Sequence, residues 1–446
     1  MHKKTQLAVL NTIFVLTLYL ITGGVFALAV TQHYTPHDKY GFVRLIILLL
    51  FSPIVAKYVI QIFVAPWYPF VEDLRRRKQD TYTPGVSVLI PAYNEEVGIL
   101  STIKSVYETQ YPHLEVIVIN DGSTDKTHEL VTSYGDEILK DPANPPLRYF
   151  VLPNGGKSRA LNYGLSHAKE DIVVTIDADS IMDPHAIERL VRNFTNPRVA
   201  AVSGNVIIGN RNRPIGLIQQ LEYLYGFYFK RADSIFNSVY IVGGAAAAYR
   251  RDIITELGGF DEHIITEDIE LSMRLQWHGY YVRYAADAIV YTEGPSAFQT
   301  LCAQRLRWKY GRLVTFFKYR RLFFSFHKSH KKYLSFILLP IALFAEALLF
   351  FEGILLTIFY TYTWLTNDFM PLIFAICLLT AIVILQIISD PKARYHLNLL
   401  WLAPGAWILF YIIDLVEYQA LIRSLWRLLK RRGLSWQKWN RLGVNS

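Results

Sequence analysis

The residues best suited to chemistry lie near the middle of the chain. Asp177 and Asp179 stand two positions apart, just after Ile172–Ile176, a short run rich in β-branched residues. Such a run has the pattern of a buried strand. In an open α/β sheet ligands bind in the crevice beyond the carboxyl ends of the strands, so both acids are expected at its rim. Two hard oxygen ligands there suit a divalent cation that also takes phosphate oxygens, Mg2+ or Mn2+. A polar turn after a core strand is the plainer reading of Asp-Ala-Asp alone, and the neighbouring segments decide against it.

Three more strands precede this one, each running into a polar turn. Val86–Ile90 leads to Pro91-Ala92-Tyr93-Asn94-Glu95-Glu96, and Leu114–Ile119 leads to Asn120-Asp121-Gly122-Ser123. Leu147–Leu152 leads to Pro153-Asn154-Gly155-Gly156-Lys157. Helical patterns follow each, through Ile99, Ile103 and Val106, from Lys126, and through Leu161 and Leu165. Strand–helix alternation predicts a parallel sheet with right-handed crossovers, which gathers all four turns at one edge. Asp121 alone could cap a helix. Gly155-Gly156-Lys157 allows close backbone approach to a phosphate and supplies a cation, although it lacks the spacing of a P-loop.

The rest of the chain is of another kind. It is 52% hydrophobic with a net charge of +9 and a mean hydropathy of +0.21. Thr5–Val30 and Val43–Pro66 are each long enough to cross a hydrocarbon core of about 30 Å. A polar loop with His33, His37 and Asp38 separates them. A cleaved leader is the rival reading of the first block, disfavoured by its length and by the second block after it. Three apolar blocks, Leu334–Tyr360, Pro371–Ile388 and Leu397–Ile413, follow the α/β region. Glu346 and Glu352 in the first are costly in lipid, so they are expected to face protein, a basic partner or a watery path. Pro404-Gly405 interrupts the last block and points to a re-entrant or interfacial segment. Arg75–Lys78, Arg305–Lys332 and Arg423–Arg441 are basic clusters beside apolar blocks, which fits the excess of positive charge on the cytoplasmic side of membranes. Because the charge tracks membrane edges, nucleic-acid binding is excluded. Cys302 and Cys377 imply no disulfide framework.

Two further elements carry chemistry. Thr266-Glu267-Asp268 precedes a helical pattern, and Gln304-Arg305-Leu306-Arg307-Trp308 sits in an aromatic and basic stretch, Phe298–Phe324. At helical spacing Gln304, Arg307 and Trp308 share a face. The stretch reads as an amphipathic helix at a membrane interface. Val242-Gly243-Gly244-Ala245-Ala246 is a small-residue run before Tyr249-Arg250-Arg251.

Taken together, these clusters resemble the inverting family 2 glycosyltransferases, and Gln-x-x-Arg-Trp is similar to the signature of their processive members. The resemblance implies an α/β GT-A domain, Rossmann-like with a mostly parallel sheet, cytoplasmic and flanked by transmembrane helices. It implies a donor site of Pro91, Tyr93, Glu95, Asp121, Lys157, Asp177 and Asp179. There Asp121 would bond uracil, Asp177 would face the nucleotide sugar, and Asp179 would hold the metal, with Lys157 near the diphosphate. Asp268 would be the catalytic base, Arg307 would steady the leaving diphosphate, and Trp308 would stack on the acceptor, with Gln304 beside them. The implied organisation is a membrane hairpin (1–70), a catalytic domain (71–296), interfacial helices (297–333), a membrane region (334–422) and a basic cytoplasmic tail (423–446).

The layout, with Asn196-Pro197-Arg198-Val199 and Arg394-Tyr395-His396-Leu397-Asn398-Leu399, resembles most the poly-β-1,6-N-acetylglucosamine synthases of bacterial biofilms. Implied partners are a UDP-sugar donor, a growing polysaccharide, membrane lipids and a small accessory membrane subunit, with no nucleic acid. Chitin-, hyaluronan- or cellulose-type synthesis is the alternative among enzymes, and an inert export scaffold the alternative outside them.

Overall fold

The computed structural model describes residues 41–76, 82–142, 144–434 and 443–444. The expected span Thr5–Val30, the loop with His33, His37 and Asp38, and most of the tail after Leu434 lie outside the described residues. Eight strands form one sheet: β1 (Val86–Ala92), β2 (Leu114–Asn120), β3 (Leu147–Val151), β4 (Ile172–Thr175), β5 (Ser180–Met182), β6 (Val199–Ile208), β7 (Ala247–Arg250) and β8 (Tyr281–Thr292). Before it come α1 (Gly41–Val64) and α2 (Tyr68–Arg76); within it run α3 (Ile99–Tyr107), α4 (Thr127–Ile138), α5 (Lys157–His167), α6 (Ala186–Val191), α7 (Pro214–Ile235), α8 (Arg251–Glu256) and α9 (Glu267–Trp277). After it come α10 (Phe298–Lys318), α11 (Leu339–Thr366), α12 (Met370–Ser389) and α13 (Ala406–Leu429).

The core follows from the two-residue period of the strands. Val86, Val88 and Ile90 of β1 pack with Ile99, Ile103 and Val106 of α3 on one face. Leu89 points the other way and packs with Ala160, Leu161 and Leu165 of α5. Strand order is β3-β2-β1-β4-β7-β6-β8-β5. From β1 the chain moves outward through β2 to β3, then returns to place β4 on the other side of β1. That reversal opens the crevice in which α/β sheets bind ligands, between the Pro91–Glu95 turn and the Asp177–Asp179 turn.

The expected parallel pairing holds for β1 to β4, and also for β6 with β8. Beyond β4 the sheet becomes mixed. β7 runs antiparallel to β4 with Thr175 opposite Ala247, and β5 runs antiparallel to β8 with Ser180 opposite Thr292. The antiparallel entry of β7 has a consequence for the site. It brings the small-residue run Val242–Ala246 to the carboxyl end of β4, into the same crevice.

Among the described residues four helical stretches are long and apolar enough to cross a membrane: Leu49–Arg75, Leu334–Thr366, Met370–Ser389 and Ala403–Leu429. The expected break in the last apolar block is present, and it falls at the start of the final helix. Pro404-Gly405 lies in a 3-10 turn, Ala403–Gly405, and α13 then runs unbroken to Leu429. Proline suits the first turn of a helix, where its missing N–H has no partner to lose. The basic tail expected from 423 likewise begins inside α13.

The basic stretch around Gln304–Trp308 is only partly a solvated face. Arg305, Lys309 and Arg312 turn inward from α10 onto carboxylates. Arg305 pairs with Glu222 of α7 at 2.7 Å, and Lys309 pairs with Glu346 of α11 at 2.8 Å and Glu417 of α13 at 2.5 Å. Arg312 also pairs with Glu346. Glu346 therefore takes the basic-partner option of those expected for it. Elsewhere the joint at 393–400 docks on the domain: Asn398 Nδ2 donates to Gln220 Oε1 (3.0 Å) and the Tyr395 hydroxyl donates to the Ile208 carbonyl (2.9 Å).

Lys309→Met leaves buried carboxylates short of a cation, a change that costs about 3–5 kcal/mol where no other partner steps in. The expected outcome is a lower thermal unfolding midpoint in detergent, partly restored when Glu346→Gln is added. An unchanged midpoint would show that the network contributes nothing to stability.

Candidate active site

Every residue of the expected donor and catalytic sites lines one cavity of about 970 Å3. From the strand ends come Pro91, Tyr93, Glu95, Asp121, Lys157, Asp177 and Asp179; from α9 comes Asp268; from α10 come Gln304, Arg307 and Trp308.

Local interactions fix the strand-end turns. Asn94 adopts a left-handed φ of 54°, and its Oδ1 accepts the Thr124 amide at 2.7 Å. The Asn94 amide in turn donates to Ser123 Oγ at 2.9 Å, so the turns after β1 and β2 are tied together. A Cβ at Gly98 would sit 2.8 Å from the Ala178 carbonyl oxygen. Only glycine lets the start of α3 approach the Asp177–Asp179 turn this closely.

Asp121 holds a loop as well as facing the cavity. Its two carboxylate oxygens accept the amides of Gly155 (2.9 Å) and Gly156 (2.8 Å). Gly156 has a φ of +95°, which a side chain would strain. The sequence attached Asp121 to a base; the structure shows it first organising the loop that presents Lys157.

The Lys157 ammonium lies 2.6 Å from Asp177 and 3.1 Å from Glu267. Burial opposes its charge, but Asp177 and Glu267 outweigh that and raise its pKa above the usual lysine value. Burial raises Glu267, with Lys157 opposing and Asp268 reinforcing the shift. Lys157, expected beside a diphosphate, thus bridges two acids, and a Cβ at Gly244 would fall 2.6 Å from its Nζ. The small-residue run therefore makes room for this ammonium.

Asp179 is buried at the cavity wall, where its Oδ1 accepts the hydroxyls of Ser180 (3.1 Å) and Thr292 (3.4 Å). Among the described residues no three or more His, Cys, Asp or Glu form a ready-made cage. The donor set suits Mg2+ or Mn2+ even so, because such ions use one or two carboxylates and complete their shell with substrate phosphates and water. Of the two acids, Asp177 pairs with Lys157 and Asp179 accepts from two hydroxyls.

On the other side of the cavity Trp308 lies under the Arg305 guanidinium at 4.3 Å and beside the Tyr223 ring at 6.5 Å. Gln304 is buried, and its Oε1 has no hydrogen-bond partner among the described residues, an acceptor available to a ligand donor. Asp268 occupies the first turn of α9.

Sequence reasoning missed one wall. Tyr223, Phe227, Lys230 and Asp233 of α7 line the cavity, as do Lys57, Tyr58 and Gln61 of α1. The signal was present in the steps of four, three and three along α7, which share one helical face. Burial lowers Lys230 to about 8, with Asp233 and Asp268 opposing. Burial lifts Asp233 to about 6, against the pull of Lys57. Gln61 Nε2 and the Tyr333 hydroxyl donate to Asp233 Oδ1 at 2.8 and 3.2 Å.

Comparison with known proteins identifies the domain that carries most of these residues. The family model for Glycosyl transferase family 2 matches residues 87–258. The chain carries a family 2 glycosyl transferase domain. Over 247 residues it is 32% identical to a poly-beta-1,6-N-acetyl-D-glucosamine synthase of Staphylococcus epidermidis, a match covering 54% of this chain and 58% of that protein. Over 231 residues it is 35% identical to the synthase of the same name from Staphylococcus aureus, covering 51% and 54%. The matches thus span little more than half of these relatives. Among solved structures, a mannosyltransferase from Pyrobaculum calidifontis in complex with GDP-Man and Mn2+ superposes with a TM-score of 0.55 at 21% identity. It covers 87% of this chain and 99% of that one, and the fold of the family 2 domain is GT-A-like.

Asp121→Asn removes one of two charge-assisted acceptors from the Gly155–Gly156 loop, and hydrogen bonds to charged groups are worth about 1.5–3 kcal/mol. The expected outcome in calorimetry is UDP affinity weakened by about 10–100-fold. Wild-type affinity would separate this loop from nucleotide binding.

Proposed function

We propose that the protein is an inverting, processive glycosyltransferase that polymerises N-acetylglucosamine from UDP-N-acetylglucosamine into a β-1,6-linked chain and helps to pass it through the membrane. The observation that carries this reading is the shared cavity. Acids at the ends of β1, β2 and β4, the Gln304–Trp308 segment, and Lys57, Tyr58 and Gln61 of a membrane-length helix all line it. A soluble sugar nucleotide and a membrane-associated acceptor can therefore meet in one enclosure. The choice of sugar and linkage rests on the likeness to the staphylococcal synthases.

The chemistry follows from the side chains. Asp268 takes the proton of an acceptor hydroxyl as its oxygen attacks the anomeric carbon from the face opposite the diphosphate. The new C–O bond forms as the bond to the diphosphate oxygen breaks, and UDP leaves with the electron pair. Arg307 offers a guanidinium to the departing charge. Trp308 offers an indole face to the acceptor ring. Asp179, with Asp177 beside it, would hold Mg2+ or Mn2+, which neutralises charge on the diphosphate. Lys157 keeps Asp177 and Glu267 compensated, leaving Asp268 as the acid of the Thr266-Glu267-Asp268 element outside that bridge. In this reading the domain lies on the cytoplasmic side of the inner membrane, where UDP-sugars are made.

Membranes given UDP-N-acetylglucosamine, UDP-glucose and UDP-glucuronate separately should release UDP and form polymer only with the first, and linkage analysis should return β-1,6 bonds. Polymer from another donor would overturn the assignment of the sugar. Asp268→Asn should lower turnover by about 10²–10⁴-fold while UDP binding persists. Turnover near the wild-type rate would remove Asp268 from the role of base.

A further inference from the structure

The missed wall of the cavity has an order, set by α7. Tyr223 stands beside Trp308, and its phenol is held above its usual pKa chiefly by burial, with Asp179 and Arg307 among the charges that reach it. Lys230 comes seven residues later, about 10 Å along the helix axis at 1.5 Å per residue. Asp233 follows, bonded to Gln61 of α1. The helix thus leads from the metal-binding acid, past the base, to the membrane helix.

Charge is not balanced along this path. Lys157, Arg305 and Arg312 all line the cavity and all sit in ion pairs. Lys230 and Lys57 form none among the described residues. The Lys230 ammonium rests 4.1 Å from the centre of the Phe227 ring, and among the described residues its hydrogen-bond partner is Ser203 Oγ at 3.5 Å. The Lys57 ammonium lies 4.8 Å from the Tyr58 ring. Asp233, the acid at this end, is already shared between Gln61 and Tyr333. A half-buried cation with no anion beside it favours a ligand that supplies acceptors.

Resting on the reading that the acceptor is an amino-sugar chain, we infer that Lys230 is an acceptor-positioning residue. It holds an oxygen of the terminal sugar beside Asp268 and, together with Lys57, excludes a terminal sugar whose amine is free. An N-acetylated sugar is neutral and offers hydroxyl and carbonyl oxygens, all of which accept from an ammonium. A de-N-acetylated sugar is a cation when protonated, and it would enter a space that already holds two unpaired ammoniums. Two like charges roughly 6 Å apart at an effective dielectric of about 20 discriminate by about 100-fold.

The test uses the full chain in lipid nanodiscs with UDP-N-acetylglucosamine and two short β-1,6-linked oligosaccharides. These differ only in whether the non-reducing terminal residue is N-acetylated or carries a free amine, and the pH is slightly acid so that the amine is protonated. Wild-type kcat/KM should favour the acetylated acceptor by about 100-fold. Lys230→Met should narrow the ratio to about tenfold or less, chiefly by raising KM for the acetylated acceptor. Lys230→Arg, which keeps the charge, should retain the preference. UDP binding by calorimetry reports that each variant is folded. Equal use of both acceptors by the wild type, or an undiminished preference in Lys230→Met, would overturn the inference. Elongation of neither acceptor by a wild type that releases UDP would instead bring down the amino-sugar reading, and this inference with it.

Discussion

An ammonium drawn out of water needs anions beside it, and the Lys157 bridge meets that need with acids from two distant parts of the chain. Asp177 belongs to the turn after β4, and Glu267 opens α9, ninety residues later. Glu267 is buried and could not keep its charge comfortably alone, because a lone carboxylate in a poor dielectric is driven towards its neutral form. Their shared cation therefore fixes the distance between the Asp177–Asp179 turn and the residue after Glu267, which is Asp268. The loop carrying Lys157 is itself pinned by Asp121 through two glycine amides. Three strand ends and one helix start are locked by four charged side chains and two backbone amides.

The same reasoning explains how the Gln304–Trp308 segment is held. α10 offers Arg305, Lys309 and Arg312, and the carboxylates that answer them come from α7, α11 and α13. Buried ion pairs contribute little net stability compared with apolar residues of the same shape, but they tolerate few alternative arrangements. Their use here fits a need for registry. Gln304 and Trp308 must face the cavity while the helix that carries them touches membrane-length helices on its other side.

Legibility from sequence followed the range of the forces involved. β1 to β4 were readable because each is a short β-branched run bounded by turn residues. The turns after them were readable because a crevice at strand ends is a property of the fold class. The antiparallel entry of β7 was not readable, since nothing local to Ala247–Arg250 states which neighbour it will meet. Pro404-Gly405 showed where the last apolar block is interrupted but not that the helix after it runs on to Leu429, because such a pair breaks a helix when internal and starts one when terminal. Lys309 and Glu346 illustrate the same limit, because thirty-seven residues separate the partners and only the folded chain shows that they are one pair.

The wall formed by α7 shows where a motif search stops short of a site. Tyr223, Phe227, Lys230 and Asp233 have the spacing of an ordinary amphipathic helix, and in most proteins that face would be core. Here it borders a cavity of about 970 Å3, which the short residues Gly243, Gly244 and Ala245 at the entry to β7 also line. The direction of the space comes from α7, which runs from Tyr223 beside Trp308 to Asp233 bonded to Gln61 of α1. At one end stand acids suited to a metal and a phosphate; at the other stand lysines and a membrane helix, with Asp268 between them. That division is what the proposed polymerising reaction requires, since donor and acceptor would approach the base from different sides and the donor's nucleotide would leave after each transfer.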